Sequence, residues 1–94
     1  MPPGTDIEYD LRKQQDTLEH RGLDFNDAPT LFAGKTFSML DNRQDYGEER
    51  IITVGKLSGK VTIIVWTQRG EKRRIISMRY ANERERQRYE NHLV

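Results

Sequence analysis

Cysteine is absent from this chain, and so are long apolar runs. Without cysteine, neither disulfide bonds nor thiolate zinc sites can hold the fold, and a reducing compartment fits such a sequence. The longest apolar run is IIVW, far short of the roughly 20 residues that a membrane helix needs. The N-terminal MPPGTD also lacks the basic-then-apolar pattern of a signal peptide. We therefore predict a cytoplasmic protein with no membrane partner.

Apolar residues are scarce throughout the chain. Hydrophobic residues make up 34% of the 94 residues and charged residues 33%. This length accommodates one domain with a thin core, so we predict a single domain over residues 1–94. The Pro- and Gly-rich residues 1–5 are predicted to be disordered. A thin core favours one sheet with helices on one face, or a partner that adds burial.

The net charge of +1 hides a strong polarity along the chain. Residues 1–49 contain 11 acidic and 5 basic residues, whereas residues 50–94 contain 11 basic and 4 acidic ones. Such a chain can present a basic face to an anion and an acidic face elsewhere. Alternatively, the two halves only balance each other across the folded surface.

The residue pattern predicts the element order β-α-α-β-β-β-β-α. The segment IEYD is typical of a short edge strand. Asp10 is a suitable cap for a helix through LRKQQDTLEH, which Gly22 would end. The segment FNDAPTLFAG predicts a second short helix, capped by Asn26 or Asp27 and ended by Gly34.

From Lys35 onward the hydrophobic period changes to two. Four runs, TFSMLD, RIITVGKL, KVTIIVWTQ and RRIISMRY, are predicted to be strands, and SG and RGE predict hairpin turns between the last three. Asn82 and Glu85 have the spacing of a capping box and predict a final helix. The predicted fold class is α+β: an antiparallel four-stranded meander with N-terminal helices and a C-terminal helix.

Strict alternation divides the last strand into two faces. The face predicted to lie on the helices holds Arg74, Ile76, Met78 and Tyr80. The other face, which an antiparallel sheet can leave open to solvent, holds Arg73, Ile75, Ser77 and Arg79. Guanidinium groups bind phosphate in a bidentate fork. An open face with arginine and hydroxyl groups, beside a helix that carries Arg86 and Arg88, is therefore a candidate anion surface.

Other chemistries have little support in the sequence. The two histidines, His20 and His92, do not have metal-ligand spacing. The segment GKLSGK leads from a strand into a hairpin rather than a helix, so it is not a phosphate-binding loop. Four acids in one polar segment are predicted to form a solvated turn: Asp41, Asp45, Glu48 and Glu49. We predict neither a metal site nor a cofactor.

Four segments resemble the BrnT-type toxins, the ribonuclease half of a bacterial type II toxin–antitoxin pair. Two of them are specific: YGEERIITVG resembles the central Glu-Glu-Arg strand start of the family, and RRIISMRYANERERQRYE resembles its C-terminal signature. IEYDLRK and RGLDF resemble the opening of the family and its Gly-aliphatic-x-Phe segment. The resemblance covers roughly residues 7–90. One triplet departs from it, because the usual Lys-His-Gly is replaced by His20, Arg21 and Gly22.

The resemblance implies a RelE-like fold and an RNA endonuclease activity that inhibits translation and growth. It also implies a BrnA-type antitoxin as partner, with two toxins and an antitoxin dimer forming a heterotetramer. The alternative function is a non-catalytic module that binds RNA or protein through the same basic face.

Metal-free RNA cleavage needs a base near the 2′-hydroxyl, positive charge at the phosphorane and a donor to the leaving oxygen. Arg79 is the first candidate for phosphate stabilisation, and the alternative is a surface arginine paired with an acid. Arg50 is a second candidate, unless it pairs with Glu48 or Glu49. Arg74 is a third, unless it is a structural arginine paired with an acid such as Asp10.

Two further residues complete the predicted catalytic set. Ser77 either donates to a phosphate or hydrogen-bonds its neighbours. His20 is a candidate base, since a histidine side chain can take up a proton near neutral pH; the alternative is a histidine that only stabilises a helix end.

Four residues are candidates for RNA binding without catalysis. Lys13, Arg21 and Arg86 would extend the phosphate track. Tyr46 would stack on a base, unless it anchors its loop. Trp66 is assigned to core packing or antitoxin contact rather than to base stacking.

Overall fold

The computed structural model describes residues 6–93 and confirms the predicted element order. The predicted disorder of residues 1–5 lies outside this range. No helix within the described range is long and apolar enough to cross a membrane. The elements are β1 (Ile7–Tyr9), α1 (Leu11–Arg21), a 3₁₀ turn (Phe25–Asp27), α2 (Ala28–Ala33), β2 (Phe37–Leu40), β3 (Ile51–Leu57), β4 (Lys60–Arg69), β5 (Lys72–Tyr80), α3 (Glu83–Tyr89) and a second 3₁₀ turn (Glu90–Leu93).

The sheet has the strand order β1-β5-β4-β3-β2. The antiparallel meander from β2 to β5 is confirmed. However, β1 adds a fifth strand, and it runs parallel to β5. The prediction of a four-stranded, purely antiparallel sheet is therefore wrong. After β1 the chain continues through the helices and the whole meander, so β1 pairs with the free edge of the last strand rather than with a hairpin neighbour.

Most predicted helix ends are confirmed. The Asp10 carboxylate accepts a hydrogen bond from the backbone N–H of Lys13, and Gly22 ends α1 with a left-handed φ of 69°. The predicted cap of α2 is wrong in detail: Asp27 precedes α2, but its side chain makes no capping bond. Asp24 instead caps the 3₁₀ turn in front of α2, where it accepts from an N–H.

The main hydrophobic core lies between one sheet face and the segment from α1 to α2. Phe25 and Met78 are fully buried there. Trp66 is 8% exposed and donates its indole N–H to Thr53, which confirms its assignment to core packing. Leu31 packs so closely on β3 that a side chain at Gly55 would come within 2.8 Å of it. This close approach explains the glycine in the middle of a strand.

The second sheet face is partly covered as well. Val54 and Ile63 form a smaller cluster with Leu93 of the last 3₁₀ turn, and Phe37 and Tyr89 pack against it. The expectation of helices on one face only is therefore wrong for the C-terminal segment. A groove on this face remains open beside Ser77 and Arg79.

A β-bulge changes the faces of β5. Val65 pairs with Ser77 while the next residue, Trp66, pairs with Ile75, so Ile76 is an extra residue on β5. Such an insertion resets the alternation of side chains. Ile75 consequently joins Met78 in the main core. The predicted grouping of Ile75 with Ser77, and of Ile76 with Met78, is wrong.

Candidate functional site

Ser77 lies where two grooves meet. The first, named the helix groove, has a volume of about 460 Å³ and is lined by Lys13, Asp16, Thr17, His20, Arg21, Ile76 and Ser77. The second, named the sheet groove, has a volume of about 230 Å³ and is lined by Arg43, Ile52, Ile63, Val65, Ser77, Arg79, Glu85 and Tyr89. Five of the nine predicted site residues are thus gathered around one position of β5.

The helix groove exists because β1 is short. It pairs with β5 only from Arg73 to Ile75, and no strand of residues 6–93 continues along that edge. Helix α1 lies against the remaining edge, where Arg21 donates from Nη1 to the carbonyl oxygen of Met78 at 2.9 Å. This contact satisfies a backbone acceptor that an open strand edge would otherwise leave to solvent. It also fixes Arg21 at the wall of the groove.

His20 is held in one tautomer by its own helix. Its Nδ1 lies 2.9 Å from the carbonyl oxygen of Asp16. A carbonyl oxygen only accepts, so Nδ1 must carry the hydrogen and donate it. In the neutral ring Nε2 then keeps its lone pair and can accept a proton. The ring is exposed and lines the helix groove, so it combines a helix-end contact with the geometry of a base.

Arg79 faces the sheet groove in a bidentate pair with Glu85. Its Nη1 and Nη2 each donate to one carboxylate oxygen at 2.7 Å. Hydrogen bonds from Arg79 lower the pKa of Glu85 to about 2, so the carboxylate is charged at neutral pH. Glu85 also accepts from the backbone N–H of Asn82 and completes the predicted capping box, which is confirmed.

A second guanidinium enters the sheet groove from the loop after β2. Arg43 donates from Nε and Nη2 to the two oxygens of Asp41, each at 2.7 Å. These bonds lower the pKa of Asp41 to about 2. The Asp41 side chain has 0% exposure and that of Arg43 has 66%. The prediction of a solvated turn is therefore wrong for Asp41, which is buried behind its arginine.

Arg74 lies outside both grooves. It is the register partner of Glu8 on β1, and their side chains approach to 3.4 Å. Ile7 and Tyr9, the neighbours of Glu8, pack on the main core, so this pair occupies the opposite face. The predicted face of Arg74 is therefore wrong, and its acidic partner is Glu8 rather than Asp10.

The other three predicted residues also lie elsewhere. Arg50 stacks on Tyr46, with its guanidinium carbon 3.9 Å from the ring centroid, and the two line a separate cavity. Its Nε is 3.9 Å from Glu48, too far for a hydrogen bond. Arg86 forms ion pairs with Glu83 of α3 at 2.6 Å and with Glu90 of the second 3₁₀ turn at 3.2 Å.

Sequence reasoning missed three residues of the sheet groove, namely Arg43, Tyr89 and the groove-facing role of Glu85. The Asp-x-Arg spacing of Asp41 and Arg43 is a local signal that could have revealed the first pair. Nothing local indicates that Tyr89 reaches the groove. Among residues 6–93, no three His, Asp or Glu side chains come together as a group able to hold a metal ion.

A comparison with known protein families gives a match over most of the chain. A sequence model described as "Ribonuclease toxin, BrnT, of type II toxin-antitoxin system" matches residues 9–85. This match includes α1, both walls of the helix groove, Arg43, Arg79 and Glu85. A comparison with curated individual proteins gives no match. Because the family match spans most of the chain, the chain belongs to the BrnT family of ribonuclease toxins of type II toxin–antitoxin systems.

Proposed function

We propose that this chain is a metal-independent endoribonuclease whose RNA substrate crosses β5 at Ser77. The observation that carries the proposal is the meeting of the two grooves at this residue. On one side stand His20 with a free Nε2, Lys13 and Arg21, and on the other stands Arg79. Together they supply a proton acceptor, proton and hydrogen-bond donors, and positive charge for an anionic transition state. Family membership supports RNA as the substrate.

The reaction follows from these groups. Nε2 of His20 takes the proton of the 2′-hydroxyl, whose oxygen then attacks the adjacent phosphorus. Arg79 and the Ser77 hydroxyl donate to the non-bridging oxygens, where negative charge increases. An arginine in a protein does not release its proton. Lys13 is therefore the cation of the helix groove that can protonate the departing 5′-oxygen. The products are a 2′,3′-cyclic phosphate and a 5′-hydroxyl.

The test measures cleavage of a defined RNA in EDTA, with the product ends identified by mass. We expect the wild-type protein to cleave and to leave 2′,3′-cyclic phosphate ends. His20→Gln should reduce the rate by about 10²-fold or more, because it removes the proton acceptor. The matched control is His92→Gln, since His92 is also exposed and lies beside Phe37, but it lines neither groove.

Each failure has a distinct meaning. Cleavage that requires added Mg²⁺ would contradict metal independence. Equal rates for His20→Gln and His92→Gln would remove His20 from the reaction. RNA binding that is sensitive to salt but never followed by cleavage would favour the alternative, a non-catalytic binding module.

We further propose that a BrnA-type antitoxin neutralises the chain in a heterotetramer of two toxins and two antitoxins. The type II family supports an antitoxin partner. Helix α1 supports a partner surface, because Leu11 and Leu18 are 64% and 48% exposed and are two turns apart. Light scattering of the co-purified complex is expected to give the mass of two copies of each chain. A one-to-one complex would contradict this stoichiometry.

A further inference from the structure

Arg43 and Arg79 come from different parts of the chain and enter the same groove. Arg43 follows β2 and Arg79 lies on β5, and Ser77 and Tyr89 also line this groove. Each guanidinium is held by two hydrogen bonds to one carboxylate. We propose that Arg43 and Arg79 together form a phosphate clamp, with Arg43 as an RNA-binding residue and Asp41 as its positioning residue. This inference deepens the proposed function and rests on it for the identity of the ligand.

The remaining donors of the two arginines support an anionic ligand. A guanidinium has five N–H groups, and each carboxylate here uses two of them. Arg43 binds Asp41 through Nε and Nη2, so its Nη1 takes no part in that pair, and Tyr46 is a further hydrogen-bond partner of the same guanidinium. Arg79 binds through both terminal nitrogens and keeps its Nε–H. The carboxylates thus orient the two cations without using all of their donors.

In each pair the arginine side chain is more exposed to solvent than the carboxylate that holds it. The Arg43 side chain is 66% exposed and that of Asp41 0%. The Arg79 side chain is 40% exposed and that of Glu85 20%. In both pairs the cation lies nearer to solvent than the acid. An approaching phosphate therefore meets guanidinium groups first, although the four charges sum to zero.

The two cations also influence each other. Hydrogen bonds to Glu85 raise the pKa of Arg79, while burial and the nearby charge of Arg43 act in the opposite direction. Two like charges brought together in a groove repel each other, and a dianionic phosphorane or a bridging phosphate relieves this repulsion. We therefore expect Arg43 to bind the reacting phosphate or the neighbouring one.

The test uses a single-stranded 2′-O-methyl RNA, which cannot be cleaved because it lacks the attacking hydroxyl. Its affinity is measured by fluorescence anisotropy at several salt concentrations. We expect Arg43→Ala to bind about tenfold more weakly. The slope of log affinity against log salt concentration should become shallower by about 0.7, as for one lost phosphate contact on a single strand. Arg43→Lys should keep the slope but lose affinity, because ammonium cannot form the same fork.

Two controls keep the result interpretable. Arg84→Ala removes an exposed arginine that lines neither groove, so it should change the affinity less than Arg43→Ala. Arg43→Ala leaves the Asp41 carboxylate buried without its partner, so the double variant Asp41→Asn/Arg43→Ala is measured too. It removes the buried charge and should bind as weakly as Arg43→Ala.

The outcomes separate this inference from the proposed function. Affinity and salt slope equal to wild type in the double variant would overturn the clamp, even if the protein cleaves RNA. A loss no larger than that of Arg84→Ala would also overturn it. Conversely, Arg43-dependent binding by a protein that never cleaves RNA would support the clamp and contradict the nuclease.

Discussion

Replacing Arg79 with alanine is expected to reduce RNA cleavage by about 10²–10³-fold, as for the loss of one transition-state donor. In the wild type, its guanidinium faces the sheet groove beside Ser77 while Glu85 fixes its orientation. An oriented cation stabilises the phosphorane without reorganising during the reaction. The measurement is the single-turnover rate on a defined RNA in EDTA, with folding checked by circular dichroism.

Arg79→Ala also leaves the Glu85 carboxylate without its counter-ion. Glu85 has a pKa of about 2 in the pair and would repel a phosphate once its partner is lost. The double variant Arg79→Ala/Glu85→Gln answers this, because glutamine removes the charge and still completes a capping box at this position. We expect the double variant to be nearly as inactive as Arg79→Ala. If it recovers wild-type activity, Arg79 serves only to neutralise Glu85. Arg84→Ala provides the matched loss of an exposed arginine.

The local features of this fold could be predicted from the sequence. The cap at Asp10, the left-handed Gly22 and the capping box at Asn82 depend on neighbours within one helical turn. The meander follows from period-two runs separated by short turns. In each case the residues that determine the geometry are close in sequence, so their pattern can be interpreted without the fold.

The non-local features could not be predicted in the same way. The parallel pairing of β1 with β5 joins Ile7 to Arg73, which are far apart in the sequence. The bulge at Ile76 occurs within a run of β-favouring residues that contains neither glycine nor proline. One extra residue there reverses the faces of everything before it, which misplaced Arg74 and Ile75.

The candidate site shows the same division. Alternation correctly placed Arg79 away from the main core, since its register partner Ile63 belongs to the second cluster. Alternation could not show that α1 brings His20 to the free edge of β5. The position of this edge depends on where the short strand β1 ends. Their charge made Arg50 and Arg86 predicted site residues, yet their carboxylate and aromatic neighbours lie outside the two grooves.

Replacing Phe25 with alanine is expected to lower the free energy of unfolding by about 3–5 kcal/mol, as for a large aromatic residue removed from a core. Phe25 is fully buried and makes an edge contact with Tyr9 at 5.5 Å between ring centroids. With only 34% hydrophobic residues, the chain has little other apolar surface to compensate for the cavity. Urea denaturation followed by circular dichroism measures the change.

The position of Phe25 also links stability to the helix groove. Its backbone N–H donates to the buried side chain of Gln14 at 2.7 Å, which ties the 3₁₀ turn to α1. A cavity at this junction loosens the helix that carries His20, so cleavage at low temperature should fall by more than the unfolded fraction explains. Phe25→Leu, which keeps most of the volume, should cost about 1.5 kcal/mol. Leu11→Ala, on the exposed side of α1, should stay within about 0.5 kcal/mol of wild type. If Phe25→Ala is no more destabilised than Leu11→Ala, the main core does not depend on this ring and α1 must be held in place by other contacts.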